Sequence, residues 1–155
     1  MLIAEIVAGN SLQDSLRAAK ASLIGQPNHE EVPGAVEKAE KLALSPATTP
    51  IPKSLGQGWV AEEALAIALY CALVAPNFEE AVVLAANHSG DSDSTGAIAG
   101  NICGALYGVD AIRARWIEAV ELSHEITAVA DDLTALAEGK LDVGSDLITN
   151  RCPGW

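Results

Sequence analysis

Apolar side chains recur along the chain every three or four positions, and no useful stretch alternates apolar with polar. That spacing predicts helices throughout and no sheet. The first apolar patch, Leu2, Ile3, Ile6 and Val7, has no capping residue before it and stops at Gly9-Asn10. It reads as the tail of a helix whose beginning is missing. Ser11 offers an N-cap with Asp14 three residues on, so a helix is expected from there to Ile24, ended by Gly25 and Pro27. A second is expected from about Pro33 to Leu44. The stretch "SPATTPIPKSLGQG", 45–58, carries three prolines and two glycines and must be a loop. Connections of that length are often functional.

Trp59 is expected to open the strongest helix, "WVAEEALAIALYCALVA". Its only charges are Glu62 and Glu63, so most of its circumference should be buried. Pro76-Asn77 breaks the chain, and Asn77 can cap "FEEAVVLAAN". Further helices are expected over 94–107, "RARWIEAVE" and "HEITAVADDLTALAEGK". The expectation is an all-α domain over 1–139, followed by a poorly ordered tail at 140–155.

Composition narrows the function classes. Half of the residues are hydrophobic but only 4% are aromatic, so alanine and leucine must build the core, as in close-packed helices. The net charge of −12 argues against nucleic acid and anionic membranes, which need clustered Lys and Arg. The start lacks the basic region of a signal peptide. The longest apolar run, 64–75, is too short for a bilayer. Cys71, Cys103 and Cys152 form no zinc-type pair; the first two read as small buried hydrophobes. A reducing cytoplasm is expected.

The chemistry concentrates in "NHSGDSDSTGAIAGNICGALYG", 87–108. Asp91 and Asp93 flank Ser92 on a tight turn, and Ser94 follows. A D-x-D pair can aim two carboxylates at one hard divalent cation, with Ser94 adding a neutral oxygen. The plainer reading is that Asp and Ser here are ordinary helix N-caps. An EF-hand is excluded, because the position needing a bidentate glutamate is Ile102. Gly96, Gly100, Gly104 and Gly108 then mark one helical stripe. Each interior glycine costs about 1 kcal/mol relative to alanine, so the stripe predicts a closely packed neighbour, most simply another backbone.

"GDSDSTGAIAGNICGALYG" resembles the C-terminal metal motif of ADP-ribosylglycohydrolases of the dinitrogenase reductase-activating type. "GQGWVAEEALAIALYCAL", 56–73, is similar to the segment that precedes that motif, and "VDAIRARWIEAVE" fits its continuation. The resemblance covers roughly 1–137. It implies an orthogonal multi-helix bundle around two Mg²⁺ or Mn²⁺ ions. It also implies hydrolysis of the N- or O-glycosidic bond joining ADP-ribose to a protein or small acceptor. By position Asp91, Asp93 and Ser94 would be metal ligands, while Gly56, Gly58 and Trp59 would line the ADP-ribose cleft. Trp59 is equally readable as a buried helix anchor. No catalytic residue is assigned.

Arg113 departs from the family pattern, standing where relatives often have proline. A larger departure is that the G-D-x-x-G-type opening, the hydroxyl–Asp–Asp group and the His-containing ribose loop of the family's N-terminal half do not appear. The chain is therefore expected to be the second half of the fold, lacking its N-terminal helices and active only with a complementary N-terminal segment. A non-catalytic helical remnant or interaction protein is the alternative. A homodimeric hydrolase with its own dimetal plan ranks below both. His88 is expected at the surface or behind the ligands. Glu62 and Glu63 point about 100° apart, which disfavours a paired acid and base, although one of them should be buried and paired.

Overall fold

Two helices start the first unit, and the second follows from its cap. The computed structural model describes residues 1–27, 29–45 and 51–142. Helix α1 (Leu2–Val7) has no side-chain cap. Helix α2 (Leu12–Leu23) begins where Ser11 predicts: its Oγ accepts from the Asp14 amide at 3.1 Å and donates to the Asp14 carboxylate at 2.6 Å. Helix α3 (Glu31–Ala43) starts two residues before Pro33. The proline fits inside the first turn, where a missing N–H leaves no hydrogen bond unmade. Lys20 of α2 meets Glu40 of α3 at 2.6 Å, both half-buried.

Helix α4 (Ala61–Val74) is the axis of this unit. Ala64 and every residue from Ala66 to Ala72 are buried, and α3, α5 and α6 all pack on it. The near-continuous apolar circumference read from the sequence is thus explained by neighbours on several sides. Its start differs from expectation by two residues. Gly58 has φ +85° and Val60 is extended, so Trp59 lies in the lead-in and not on the helix. Trp59 is 66% exposed, which removes its reading as a buried anchor.

Helix α5 (Phe78–Ala86) is capped by Asn77, whose Oδ1 accepts from the Glu80 amide at 2.9 Å. Helix α6 (Ser92–Tyr107) runs antiparallel to it: Gly96 faces Ala86, Gly100 faces Val82 and Gly104 faces Phe78. Glycines four apart therefore meet larger residues four apart, as ridges meet grooves. The close-backbone explanation holds least well at the far end of the stripe. A methyl on Gly100 or Gly104 would sit 4.0 Å from its nearest side-chain neighbour, an ordinary contact. Gly100→Ala should accordingly raise stability by about 1 kcal/mol through helix propensity alone, read as a higher midpoint in urea unfolding with unchanged slope.

Cys71 on α4 and Cys103 on α6 are fully buried free thiols. Burial pushes Cys71 up to about 12 and Cys103 up to about 11, so both stay protonated and act as small hydrophobes. The buried Ser15 hydroxyl finds no hydrogen-bond partner among the described residues. Ser15→Ala should stabilise the protein by about 1 kcal/mol, since it removes a desolvated hydroxyl and improves helix propensity. A thermal melt higher by roughly 2–4 °C would show it.

The first unit closes at Arg113, which ion-pairs with Glu79 of α5. A proline at this position could not make that pair. A second unit begins at Ala114 and contains α7 (Ala114–Ala119) packed on α8 (Ser123–Ala137). Residues 143–155 of the expected tail lie outside the described residues. Among the described residues there is no strand, and no helix is long and apolar enough to cross a membrane.

Candidate metal and ribose site

Asp91 occupies the N-cap position of α6, yet its side chain makes no capping bond. The plain capping reading therefore does not describe its carboxyl. Asp93 follows in the first helical turn, with its carboxyl beside that of Asp91. That contact is the first cause holding the Asp93 carboxyl below its ordinary value of 3.8, with the backbone N–H groups of Ser94 and Asp93 adding to it. Two carboxyl groups this close favour a shared proton, or a cation between them. Ser94 is the next residue of the same turn.

Donor chemistry fits a hard divalent ion only in part. The turn offers two carboxylates and a hydroxyl, all oxygen, as Mg²⁺ or Mn²⁺ prefers. Among the described residues, however, no group of three or more Asp, Glu, His or Cys side chains gathers to hold a metal. The pair amounts to a partial ligand set.

The turn is held from two sides, by His88 and by the loop that precedes α4. His88 Nδ1 accepts the Gly90 N–H at 3.0 Å, which leaves the ring proton on Nε2, 2.8 Å from Thr95 Oγ1. Thr95 is fully buried and donates to the Ala85 carbonyl at 2.7 Å. The ring thus ties the start of the turn to α6 and, through Thr95, to the end of α5. His88 stands behind the aspartates, as expected for one of its two readings.

On the other side lies the "GQG" loop. The Asp91 N–H donates to the Gln57 carbonyl at 2.8 Å. Gly90 passes so close to Gln57 that an added Cβ would overlap its carbonyl oxygen and stand 2.7 Å from the carbonyl carbon. Gly56 and Gly58, with φ +92° and +85°, give the loop a course that other residues rarely follow. Glu63 Oε2 accepts the Gln57 and Gly58 amides at 3.0 and 3.1 Å. Glu63 is half-buried and partnered by backbone, where pairing had been expected for one of the two glutamates. Trp59 Nε1 donates to Gln57 Oε1 at 3.1 Å, leaving its indole at the surface beside this loop.

The structure therefore joins the two predicted motifs through a backbone contact. Of the expected site residues, Asp91 and Asp93 stand side by side at the start of α6, and Gly58 is seated against Thr95 and Asp91. The two glycines bracketing Gln57 mark a loop in need of an external clamp, but not which of the two neighbouring glutamates supplies it.

The described residues thus form an all-helical unit in which a D-x-D-S turn is pinned to a G-x-G-W loop. The chain belongs to the ADP-ribosylglycohydrolase family, whose model matches residues 1–142. It is 41% identical over 71 residues to the ADP-ribosylarginine hydrolase Tri1 of Pseudomonas putida (strain GB-1), covering 46% of this chain and 19% of that protein. It is 38% identical over 71 residues to the ADP-ribosyl-[dinitrogen reductase] glycohydrolase of Rhodospirillum rubrum, covering 44% and 24%. It is 35% identical over 75 residues to the Tri1 hydrolase of Serratia proteamaculans (strain 568), covering 48% and 20%. These matches span at most 24% of the relatives' own length. No solved structure matches the chain.

Proposed function

We propose that this chain takes part in divalent-metal-dependent hydrolysis of an ADP-ribosyl glycosidic bond. The substrate would be an ADP-ribosylated protein, as the names of the relatives suggest, or a small acceptor. One observation supports the reading: the Asp91 and Asp93 carboxyls lie side by side at the start of α6, and that of Asp91 makes no capping bond. Asp91, Asp93 and Ser94 would hold Mg²⁺ or Mn²⁺. The ion, when bound, would polarise a water and the ribose hydroxyls. Gly58 brings backbone against the turn while Gly56 sits against the Glu63 carboxylate, and the exposed Trp59 indole offers a flat apolar surface for the nucleotide. A complementary N-terminal segment supplies the remaining ligands, a part of the reading motivated by the two-carboxylate set. The setting is cytoplasmic.

The test mixes this chain with an N-terminal segment of a family member and assays ADP-ribose release from ADP-ribosylarginine with Mg²⁺ or Mn²⁺. Release that depends on both parts and on metal supports the proposal. Release that survives Asp91→Ala combined with Asp93→Ala would mean the site is elsewhere.

A second reading, an interaction protein without catalysis, draws on α8. Leu122, Ile126, Val129, Leu133 and Leu136 recur at four- and three-residue steps there and are exposed. Calorimetry with Mn²⁺ separates the two: saturable binding favours the hydrolase, and its absence favours the interaction protein.

A further inference from the structure

The geometry points to Glu63 as a positioning residue that sets the direction of the Asp91 backbone through a single peptide group. The Gln57 carbonyl and the Gly58 N–H belong to the same planar unit. In a trans peptide these two groups point to opposite sides, so fixing one aims the other. Glu63 Oε2 holds the Gly58 N–H at 3.1 Å, and the Gln57 carbonyl accepts the Asp91 N–H at 2.8 Å. A second bond from the Gln57 amide to the same oxygen, at 3.0 Å, stops the unit from rotating. A charged acceptor on the N–H side also polarises the carbonyl and strengthens its bond to Asp91. Gly56 precedes the unit and Gly58 closes it, both at positive φ, and Gly56 rests against the Glu63 carboxyl, so the orientation is built for this clamp.

The functional weight of the clamp rests on the proposed ligand role of Asp91. Glu63 does not touch the aspartate side chains; it acts on where the turn begins.

Hydrogen exchange of the Asp91 amide, followed by NMR on the metal-free full chain, tests the relay independently of any ion. In Glu63→Ala the Asp91 amide should exchange at least about tenfold faster than in the wild type. Glu63→Gln keeps an oxygen acceptor and should stay within about threefold of it. Glu63→Asp keeps the charge but draws the acceptor back by one methylene, and should behave as alanine does. It carries the test if the alanine variant does not fold. Mn²⁺ affinity measured on the same proteins should fall about tenfold in the alanine and aspartate variants and recover in the glutamine variant. Unchanged Asp91 exchange in Glu63→Ala or Glu63→Asp overturns the inference. A wild-type chain that binds no Mn²⁺ sinks the metal site instead, and the exchange result still decides the role of Glu63.

Discussion

Replacing Asp91 and Asp93 together by alanine should lower Mn²⁺ affinity by more than about 100-fold, the range already reached when only an outer partner of a ligand is lost. Both carboxylates of the partial set disappear, leaving Ser94 with backbone and water. The same change should cost the metal-free fold little. Asp91 makes no capping bond, and Asp93 is exposed. Loss of favourable charge at the start of α6 is worth about 0.3–1 kcal/mol per residue at a helix N-terminus. Relief of the repulsion between two adjacent carboxylates opposes that loss. Isothermal titration with Mn²⁺ beside a thermal melt reads both quantities. A double variant that binds as tightly as the wild type would falsify the site.

Gly90→Ala should be the most damaging single substitution to stability among those the geometry defines. Its Cβ would run into the Gln57 carbonyl, which cannot swing aside because Asp91 and Glu63 hold that peptide group from both sides. Relief requires the two loops to part, with loss of the Asp91–Gln57 bond. Steric strain together with the lost bond amounts to about 3 kcal/mol. At this chain length that is a melting point lower by roughly 10 °C. Gly34→Ala is the control, since a methyl there meets nothing within 4 Å. It should leave the melt unchanged or raise it. Equal behaviour of the two variants would show that the loops are not locked at this point.

The two substitutions probe different kinds of information. Asp91 and Asp93 could be picked out because chemistry imposes a spacing on residue types, and spacing is visible in a string of letters. Gly90 and Glu63 could not be ranked in that way. A glycine before an aspartate is an ordinary turn, and Glu63 inside an apolar helix looks no different from Glu62 beside it. The role of Gly90 arises from contact with Gln57, some 30 positions away, and that of Glu63 from a loop five and six positions before it that meets Asp91 in turn. The glycine stripe shows a milder version of the same limit. Its helical periodicity correctly implied a packed face on α6, but whether the neighbour presents backbone or side chains depends on α5.

By itself the sequence determined the all-helical class, the caps at Ser11 and Asn77, the burial of α4 and the membership of Cys71 and Cys103 in the core. Each follows from local spacing or from a single residue's chemistry, which act over one or two helical turns. The tertiary structure alone decided that Trp59 is outside its helix, that Asp91 leaves its capping role unfilled, and that the two motifs meet through the Gln57–Gly58 peptide group. Those outcomes depend on which surfaces are brought together, and a peptide plane's orientation is set by the partners it finds there.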